Sequence, residues 1–179
     1  DFDGIPGPTA GGPGTYLFPS GWVLANVDNL VPAGAVSYVN EAWERREDFN
    51  FNVADSAVFS TSWYVPAGQA DDWMITPAIN IGSASTLKWN AVAYDPLYPD
   101  GYEVRISTTT QDVAGCLANP VLFSIASENS VWTERSADLA LAGYANQTVY
   151  IAFRNHSIDM FLLLIDDVLV EDSQPYDAQ

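Results

Sequence analysis

The sequence predicts an all-β protein, a two-sheet antiparallel β-sandwich of jelly-roll type. Apolar and polar residues alternate along several segments, which is the period of a half-buried strand. Clusters of glycine and proline separate these segments and exclude long helices. With 179 residues, of which 48% are hydrophobic, the chain is long enough to bury one full core. We therefore expect a single module over residues 1–171, with residues 172–179 as the start of a linker.

The alternation is clearest in residues 87–93, where leucine, tryptophan and alanine alternate with lysine, asparagine and valine. Residues 104–107 and 149–154 repeat the pattern. Trp89 lies on the apolar face of the first segment and is predicted to be a core residue. The other candidate strands are residues 22–25, 57–61, 73–75, 121–125 and 161–170.

Two regions depart from this pattern. Residues 39–49 carry charged side chains at spacings that suit a short helix, so a helix is the alternative there. The glycine- and proline-rich opening up to Gly14 has the composition of a loop that precedes the first strand. The tail after Glu171 has that of a linker.

The chain is strongly acidic. Six lysine and arginine residues stand against 23 aspartate and glutamate residues, and the formal net charge is −17. This charge repels phosphate backbones and anionic lipids, so we expect neither nucleic acid nor an anionic membrane as a partner. Divalent cations suit the chain, because an ion between clustered carboxylates removes their mutual repulsion. No apolar run reaches the about 18 positions of a membrane helix, so no membrane insertion is expected.

The composition also argues against common enzyme sites. His156 is the only histidine and Cys116 the only cysteine, so zinc sites and histidine-based triads lack residues. A loop position explains His156, and a small buried residue explains Cys116. Carboxylates are abundant, but no pair is marked as the acid and the nucleophile of a glycosidase. We predict a protein that is not an enzyme.

Five short motifs occur along nearly the whole chain. They are Phe2-Asp3, Gly21-Trp22, the segment from Ala70 to Pro77, Tyr102-Glu103-Val104 and Asp166-Asp167-Val168. In this order they resemble the cleaved-adhesin domain, also described as the choice-of-anchor J type, of gingipain-like haemagglutinins and related exported bacterial proteins. The chain is more distantly similar to the animal MAM domain. The resemblance implies a jelly-roll sandwich with structural calcium and a role in adhesion or substrate binding beside other domains of the same polypeptide.

Calcium takes six to eight oxygen ligands in irregular geometry, and sandwich loops can supply them. The candidate metal ligands are Asp3, Asp71, Asp72, Asp166 and Asp167. The first and last strands of a jelly roll lie close together, so Asp3 and Asp166 are expected to share one ion, with Asp71 or Asp72 contributing. Successive strand residues face opposite sides unless a bulge intervenes, so Asp167 is the alternative to Asp166, which the resemblance favours. The competing interpretation is that these aspartates begin a strand or are solvated edge charges.

A second candidate site is aromatic. Residues 94–102 are predicted to form a long hairpin loop, and its candidate ligand-binding residues are Tyr94, Asp95, Tyr98, Asp100 and Tyr102. Such a loop can stack a sugar ring on an aromatic face while carboxylates accept hydrogen bonds from its hydroxyls. The alternative is that prolines rigidify the turn and the tyrosines cover the core edge. Trp43 and Trp63, flanked by polar residues, are expected to be exposed, and Trp43 joins the candidate ligand-binding residues.

Three functions remain open on these observations. The leading one is a calcium-stabilised adhesion module of a secreted or cell-surface bacterial protein that binds a host or matrix protein or an extracellular glycan. The second is a carbohydrate-binding module attached to a polysaccharide-degrading enzyme, and the third is a structural spacer. A sugar module is expected to expose a coplanar aromatic pair, an adhesin a broader patch built from loops, and a spacer neither.

Overall fold

The protein is a sandwich of two antiparallel sheets, as predicted, in a computed structural model that describes residues 2, 3, 18–39, 41–47 and 55–172. The opening loop expected up to Gly14 is described only at residues 2 and 3, and the linker expected from residue 172 only at that residue. The rest of both segments lies outside the described residues.

Eleven strands are found among the described residues. In chain order they are β1 (Val23–Asn26), β2 (Glu44–Glu47), β3 (Ser56–Ser60), β4 (Asp72–Ile75), β5 (Ile79–Asn80), β6 (Ser85–Ala93), β7 (Tyr102–Ser107), β8 (Phe123–Ile125), β9 (Thr133–Asp138), β10 (Thr148–Asn155) and β11 (Leu163–Asp172). A short helix, α1 (Val113–Leu117), follows β7. A 3-10 turn spans Gly34–Val36, and an irregular helical turn spans Ala140–Tyr144.

The strands divide between two sheets. The first sheet has the order β1-β4-β10-β7-β8, with β5 also paired to β10, and the second has the order β2-β3-β11-β6-β9. The pairings are antiparallel throughout the described strands. Because consecutive strands often lie in different sheets, many connections cross from one sheet to the other at the ends of the sandwich.

The core lies between the two sheets, where the alternation along β6 points one set of side chains inward. Trp89 is buried there, as predicted, with Phe123 and Phe153 edge-on to it at centroid distances of 5.1 and 5.8 Å. Edge-to-face pairs of this kind stabilise a core beyond the area they bury.

A helix was the alternative considered for residues 39–49, but residues 44–47 form a strand. These residues are β2, which pairs with β3 so that Glu44 lies opposite Phe59. Arg45 is buried and donates from Nε to the carbonyl oxygen of Phe2 at 2.6 Å. Tertiary pairing with a buried strand thus overrides the helical spacing of the charges.

Helix α1 packs on the outer face of the first sheet. Asp112 caps it by accepting a hydrogen bond from the backbone N–H of Gly115 at 2.7 Å. Cys116 is buried, as its structural interpretation requires, in a cluster with Trp73 and Ile75. No helix within the described part of the chain is long and apolar enough to span a membrane.

Candidate functional site

Three connections meet at one end of the sandwich, which we call the loop end and define as residues 61–71, 94–101 and 156–162. In the first sheet Asn155 lies opposite both Asp72 and Tyr102, so these three strand ends are side by side. In the second sheet Leu163 lies opposite both Ser60 and Ala93. The connections that leave these strands therefore share one end.

Residues 94–102 do not form the hairpin loop that was predicted. Residues 94–101 join β6 of the second sheet to β7 of the first, so they cross between sheets, and Tyr102 is the first residue of β7. This crossing brings Tyr98 against the connection before β11, where the N–H of Phe161 donates to the carbonyl oxygen of Tyr98 at 3.0 Å. The hydroxyl of Thr61 donates to the carbonyl oxygen of Phe161 at 2.6 Å, which fixes the third connection.

The loop end encloses a pocket of about 380 Å³. Its lining residues are Trp63, Asp95, Tyr98, Asp159, Met160 and Phe161. Trp63 is 36% exposed, as expected, and its ring centroid lies 6.0 Å from that of Phe161 at an interplanar angle of 58°. Tyr94 is exposed beside the pocket, 6.3 Å from Phe161 at 48°. The rings are tilted against one another rather than coplanar.

Two carboxylates stand at the edge of the pocket. Asp95 Oδ1 accepts a hydrogen bond from the N–H of Leu97 at 2.8 Å, which orients its side chain within the turn. Asp159 has a φ of 54°, a backbone conformation that aspartate adopts more readily than most residues, and its N–H donates to the carbonyl oxygen of Ser62 at 3.0 Å. None of the six lining residues is basic.

A buried polar network lies beneath the pocket. Asp100 Oδ1 accepts hydrogen bonds from the hydroxyl of Ser62 at 2.7 Å and from Asn155 Nδ2 at 3.2 Å. Asn155 Nδ2 also donates to the Ser60 hydroxyl, which joins the two sheets. Asp100 Oδ2 has no hydrogen-bond partner among the described residues. Burial raises the pKa of Asp100 to about 7, although the bonds from Ser62 and Asn155 oppose the shift.

Asp100 and Tyr102 are therefore interior residues, contrary to the ligand-contacting role proposed for them. Both have almost no exposed surface. The Tyr102 hydroxyl accepts a hydrogen bond from Trp89 Nε1 at 2.8 Å and donates to Glu128 Oε2 at 3.0 Å, and burial raises the pKa of Tyr102. Arg135 holds Glu128 through Oε1 at 2.6 Å. Tyr102 thus covers the core, as the alternative interpretation had it.

We expect Tyr102→Phe to lower the free energy of unfolding by about 1 to 3 kcal/mol, because it leaves the buried Trp89 N–H without an acceptor. Denaturant unfolding measures this. Tyr98→Phe is the matched control, since the Tyr98 side chain is exposed, and it is expected to leave the midpoint unchanged. Equal effects of the two substitutions would contradict the role given to the Tyr102 hydroxyl.

The exposure expected of Trp43 is also wrong. Trp43 has no exposed surface, and its Nε1 donates to the carbonyl oxygen of Asp72 at 3.1 Å. The flanking residues Glu44 and Arg45 misled the expectation, because both are themselves buried. Trp43 belongs to the core cluster and not to a ligand surface.

Asp3 and Asp166 form the first of two acidic groups. Asp166 is buried at the middle of β11, and its pKa is raised to about 6 by burial and by the nearby charges of Asp167 and Asp3. Asp166 Oδ1 accepts the N–H of Asp167, and Asp3 Oδ1 accepts the N–H of Ser56, each within 2.7 Å. A bulge follows Asp166, and it leaves Asp167 exposed and bonded to Asn90. Carboxylates that lie near one another supply hard oxygen donors of the kind that calcium binds.

Asp71 and Asp72 lie in a second acidic group, on the first sheet. Asp71 accepts Arg154 Nε at 2.7 Å, and its N–H donates to Asp28. Asp72 begins β4 and accepts the Tyr64 hydroxyl through Oδ2 at 2.6 Å, whereas its Oδ1 has no hydrogen-bond partner among the described residues. Burial, together with the charges of Asp28 and Asp71, raises the pKa of Asp72 to about 8.

The single ion site shared between the two acidic groups is thus not formed. No set of three or more histidine, cysteine, aspartate or glutamate side chains within the described residues is placed to hold a metal ion. Calcium binding itself stays a prediction.

Comparison with known proteins identifies the family. The sequence model of the family described as the Cleaved Adhesin Domain matches residues 39–170, which is most of the chain. The chain belongs to this family. Haemagglutinin A of Porphyromonas gingivalis is 26% identical in a match that covers 87% of this chain and 6% of that sequence. The chain therefore spans a small fraction of the length of this relative.

Solved structures agree with the fold of the cleaved-adhesin domain. The K1 cleaved-adhesin domain of Lys-gingipain from P. gingivalis W83 matches with a TM-score of 0.66 and 21% identity, covering 88% of this chain and 94% of that one. A structure described under carbohydrate-binding modules of the β-sandwich superfamily matches with a TM-score of 0.52 and 11% identity, covering 87% of this chain and 58% of that one. Both show a shared sandwich.

In this cleaved-adhesin domain, sequence reasoning missed part of the pocket. Asp159 and Phe161 were not among the candidate residues, because they follow β10 and only the strand order shows that they meet residues 94–101. Three of the candidates lie at the site: Asp95 and Tyr98 line the pocket and Tyr94 stands beside it. The exposure predicted for Trp63 was the one sequence signal for the part of the pocket outside residues 94–101.

Proposed function

We propose that this domain is a non-catalytic, calcium-stabilised binding module of a longer exported bacterial protein, and that the pocket of the loop end contacts its ligand. One observation carries the proposal: three connections bring exposed aromatic side chains and two carboxylates to a single pocket. Loops on a rigid sandwich are a common place for binding residues. Membership of the cleaved-adhesin family and the match to part of a haemagglutinin support a role in adhesion next to other domains.

The position of the titratable groups supports a non-catalytic role. A general acid or base must reach the substrate. The carboxyls with raised pKa values, Asp72, Asp100 and Asp166, are enclosed, and none of them lines the loop-end pocket. Their hydrogen bonds run to the protein's own chain.

Calcium is proposed at Asp3 and Asp166. Burial, with smaller contributions from the charges of Asp167 and Asp3, raises the pKa of Asp166, and a bound cation would offset the cost of ionising this carboxyl. These residues would hold the ion and tie the start of the chain to β11. The ion would supply structural stabilisation and no chemistry.

Carbohydrate binding is a second candidate function. Trp63 and Tyr98 offer exposed aromatic faces, and Asp95 and Asp159 can accept hydrogen bonds from sugar hydroxyls. The tilt of 58° between Trp63 and Phe161 argues against a flat platform on which a sugar chain would lie. For this reason we rank a glycan behind a protein ligand.

The test is the binding of the domain to a panel of immobilised matrix proteins and glycans. Trp63→Ala is expected to weaken binding about tenfold or more, because aromatic side chains at the centre of an interface carry much of its energy. Trp132→Ala is the matched control, since Trp132 is 41% exposed and does not line the pocket. If Trp63→Ala binds the panel as the unaltered domain does, the loop end is not the binding surface.

A further inference from the structure

The pocket of the loop end has features that select a particular class of ligand. Trp63, Tyr98 and Phe161 line it, and the ring of Phe161 is tilted by 58° against that of Trp63 and by 48° against that of Tyr94 beside the pocket. Rings that are tilted against one another offer separate faces to a compact group, whereas coplanar rings support a flat one. An aromatic face attracts a cation within about 6 Å of its centroid because the ring's quadrupole is negative above its plane.

The charge of the pocket also favours a cationic ligand. Asp95 and Asp159 stand at its edge, and no basic side chain lines it. The N–H of Leu97 orients the Asp95 carboxylate, and the bond from the N–H of Asp159 to Ser62 fixes the backbone that carries the second carboxylate. With a net charge of −17, the chain as a whole also attracts cations from a distance. A neutral ligand would use neither property.

The surroundings of the pocket indicate a polypeptide rather than a small cation. Leu97 is 80% exposed and precedes Tyr98, and Val65 is 65% exposed two residues after Trp63. Ile158 is exposed beside Asp159, and Val31 accepts the N–H of Val65 through its carbonyl oxygen. We call Val31, Val65, Leu97 and Ile158 the apolar rim. A protein ligand would cover these exposed apolar side chains together with the pocket, because the burial of apolar surface is favourable.

The network under the pocket keeps it in shape. The N–H of Met160 donates to the Ser62 hydroxyl at 3.1 Å, and that hydroxyl in turn donates to Asp100. One buried hydrogen-bond network therefore connects all three connections. It limits the rearrangement of the pocket that binding would require.

We propose that the pocket receives the guanidinium or ammonium group of an arginine or lysine side chain from a partner polypeptide, whose neighbouring apolar residues cover the apolar rim. The inference rests on the proposed function, because it names the ligand of the same site. Arginine suits the pocket better than lysine, since its planar group stacks on aromatic rings while it binds a carboxylate.

The test is an NMR titration of the whole domain, read at the indole N–H of Trp63, with an acetylated pentapeptide that carries a central arginine between leucines. The same peptide with citrulline, which keeps the shape and loses the charge, is the matched probe. We expect the arginine peptide to bind about tenfold more tightly or better. Raising the salt to about 0.5 M is expected to remove most of this difference.

Variants of the domain form the second part of this binding test. A double variant with Asp95→Asn and Asp159→Asn is expected to lose most of the preference for arginine over citrulline. Asp138→Asn is the control, because Asp138 is also exposed and also accepts a backbone N–H, from Leu141, but lies outside the pocket. It is expected to keep the preference for arginine.

The outcomes separate the two proposals. Equal affinity for arginine and citrulline, or no shift of the Trp63 signal, overturns the choice of a cationic ligand. If neutral oligosaccharides shift the Trp63 signal and the arginine peptide does not, the cationic ligand is overturned while the binding role of the loop end stands. The binding role itself fails only if Trp63→Ala leaves binding to the panel of proteins and glycans unchanged.

Discussion

Removal of calcium with EDTA is expected to lower the melting temperature of the domain by about 10 °C. An ion present at about 1,000 times its dissociation constant stabilises the folded state by about 4 kcal/mol, and in a domain of this size each kcal/mol shifts the midpoint by roughly 2–4 °C. Asp166→Asn is expected to abolish the difference between the two melts, because it removes the buried carboxylate proposed to hold the ion.

Asp167→Asn is the matched control for this experiment. Asp167 is adjacent in sequence but exposed at the bulge, where it accepts a hydrogen bond from Asn90. It is expected to keep the response to EDTA. If only Asp167→Asn abolishes the response, Asp167 is the ligand in place of Asp166. Coincident melts of the unaltered domain, with no metal found by elemental analysis, would contradict the calcium proposal.

In EDTA, the domain is expected to become less stable as the pH rises from about 4 to about 7, which reverses the usual course of acid denaturation. Burial raises the pKa of Asp100 to about 7, so the folded state keeps a proton that the unfolded chain loses near its ordinary pKa. The folded state therefore binds more protons throughout this window, and its stability falls by about 1.4 kcal/mol per pH unit for each such carboxyl. Asp72, with a pKa raised to about 8, acts in the same direction.

The variant that tests this prediction is Asp100→Asn. It keeps the acceptor for Ser62 and Asn155 and cannot ionise, so the slope of stability against pH is expected to fall by about 1.4 kcal/mol per unit between about pH 5 and pH 7. Chemical unfolding at several pH values measures the slope. Asp159→Asn removes an exposed charge from the same end and is expected to leave the slope unchanged. An unchanged slope in Asp100→Asn would show that Asp100 does not hold the proton.

The strands and the sandwich could be predicted because their signals are local. Along β6 apolar residues that point inward alternate with polar ones that point outward, and Trp89 was placed in the core for that reason. Strand β2 was missed because its charged side chains are buried by contacts that the local pattern does not contain, such as that of Arg45 with Phe2. Trp43 was misjudged for the same reason.

The candidate site was only partly predictable, because it depends on contacts between distant parts of the chain. Asp100 becomes an interior residue through bonds to Ser62 and Asn155, which are 38 and 55 residues away. The two acidic groups were expected to share one ion, yet no three or more of the described histidine, cysteine, aspartate and glutamate side chains are placed to hold one. Aromatic and acidic residues in 94–102 did mark one wall of the pocket. The other walls follow from the order of the strands.

Hydrogen–deuterium exchange tests most directly whether the loop end is the binding surface. The domain is compared alone and in complex with the strongest ligand from the panel of proteins and glycans. We predict slower exchange in residues 61–71, 94–101 and 156–162. Slower exchange confined to the opposite end, where the N–H of Asn146 bonds to the carbonyl oxygen of Gly82, would contradict the account.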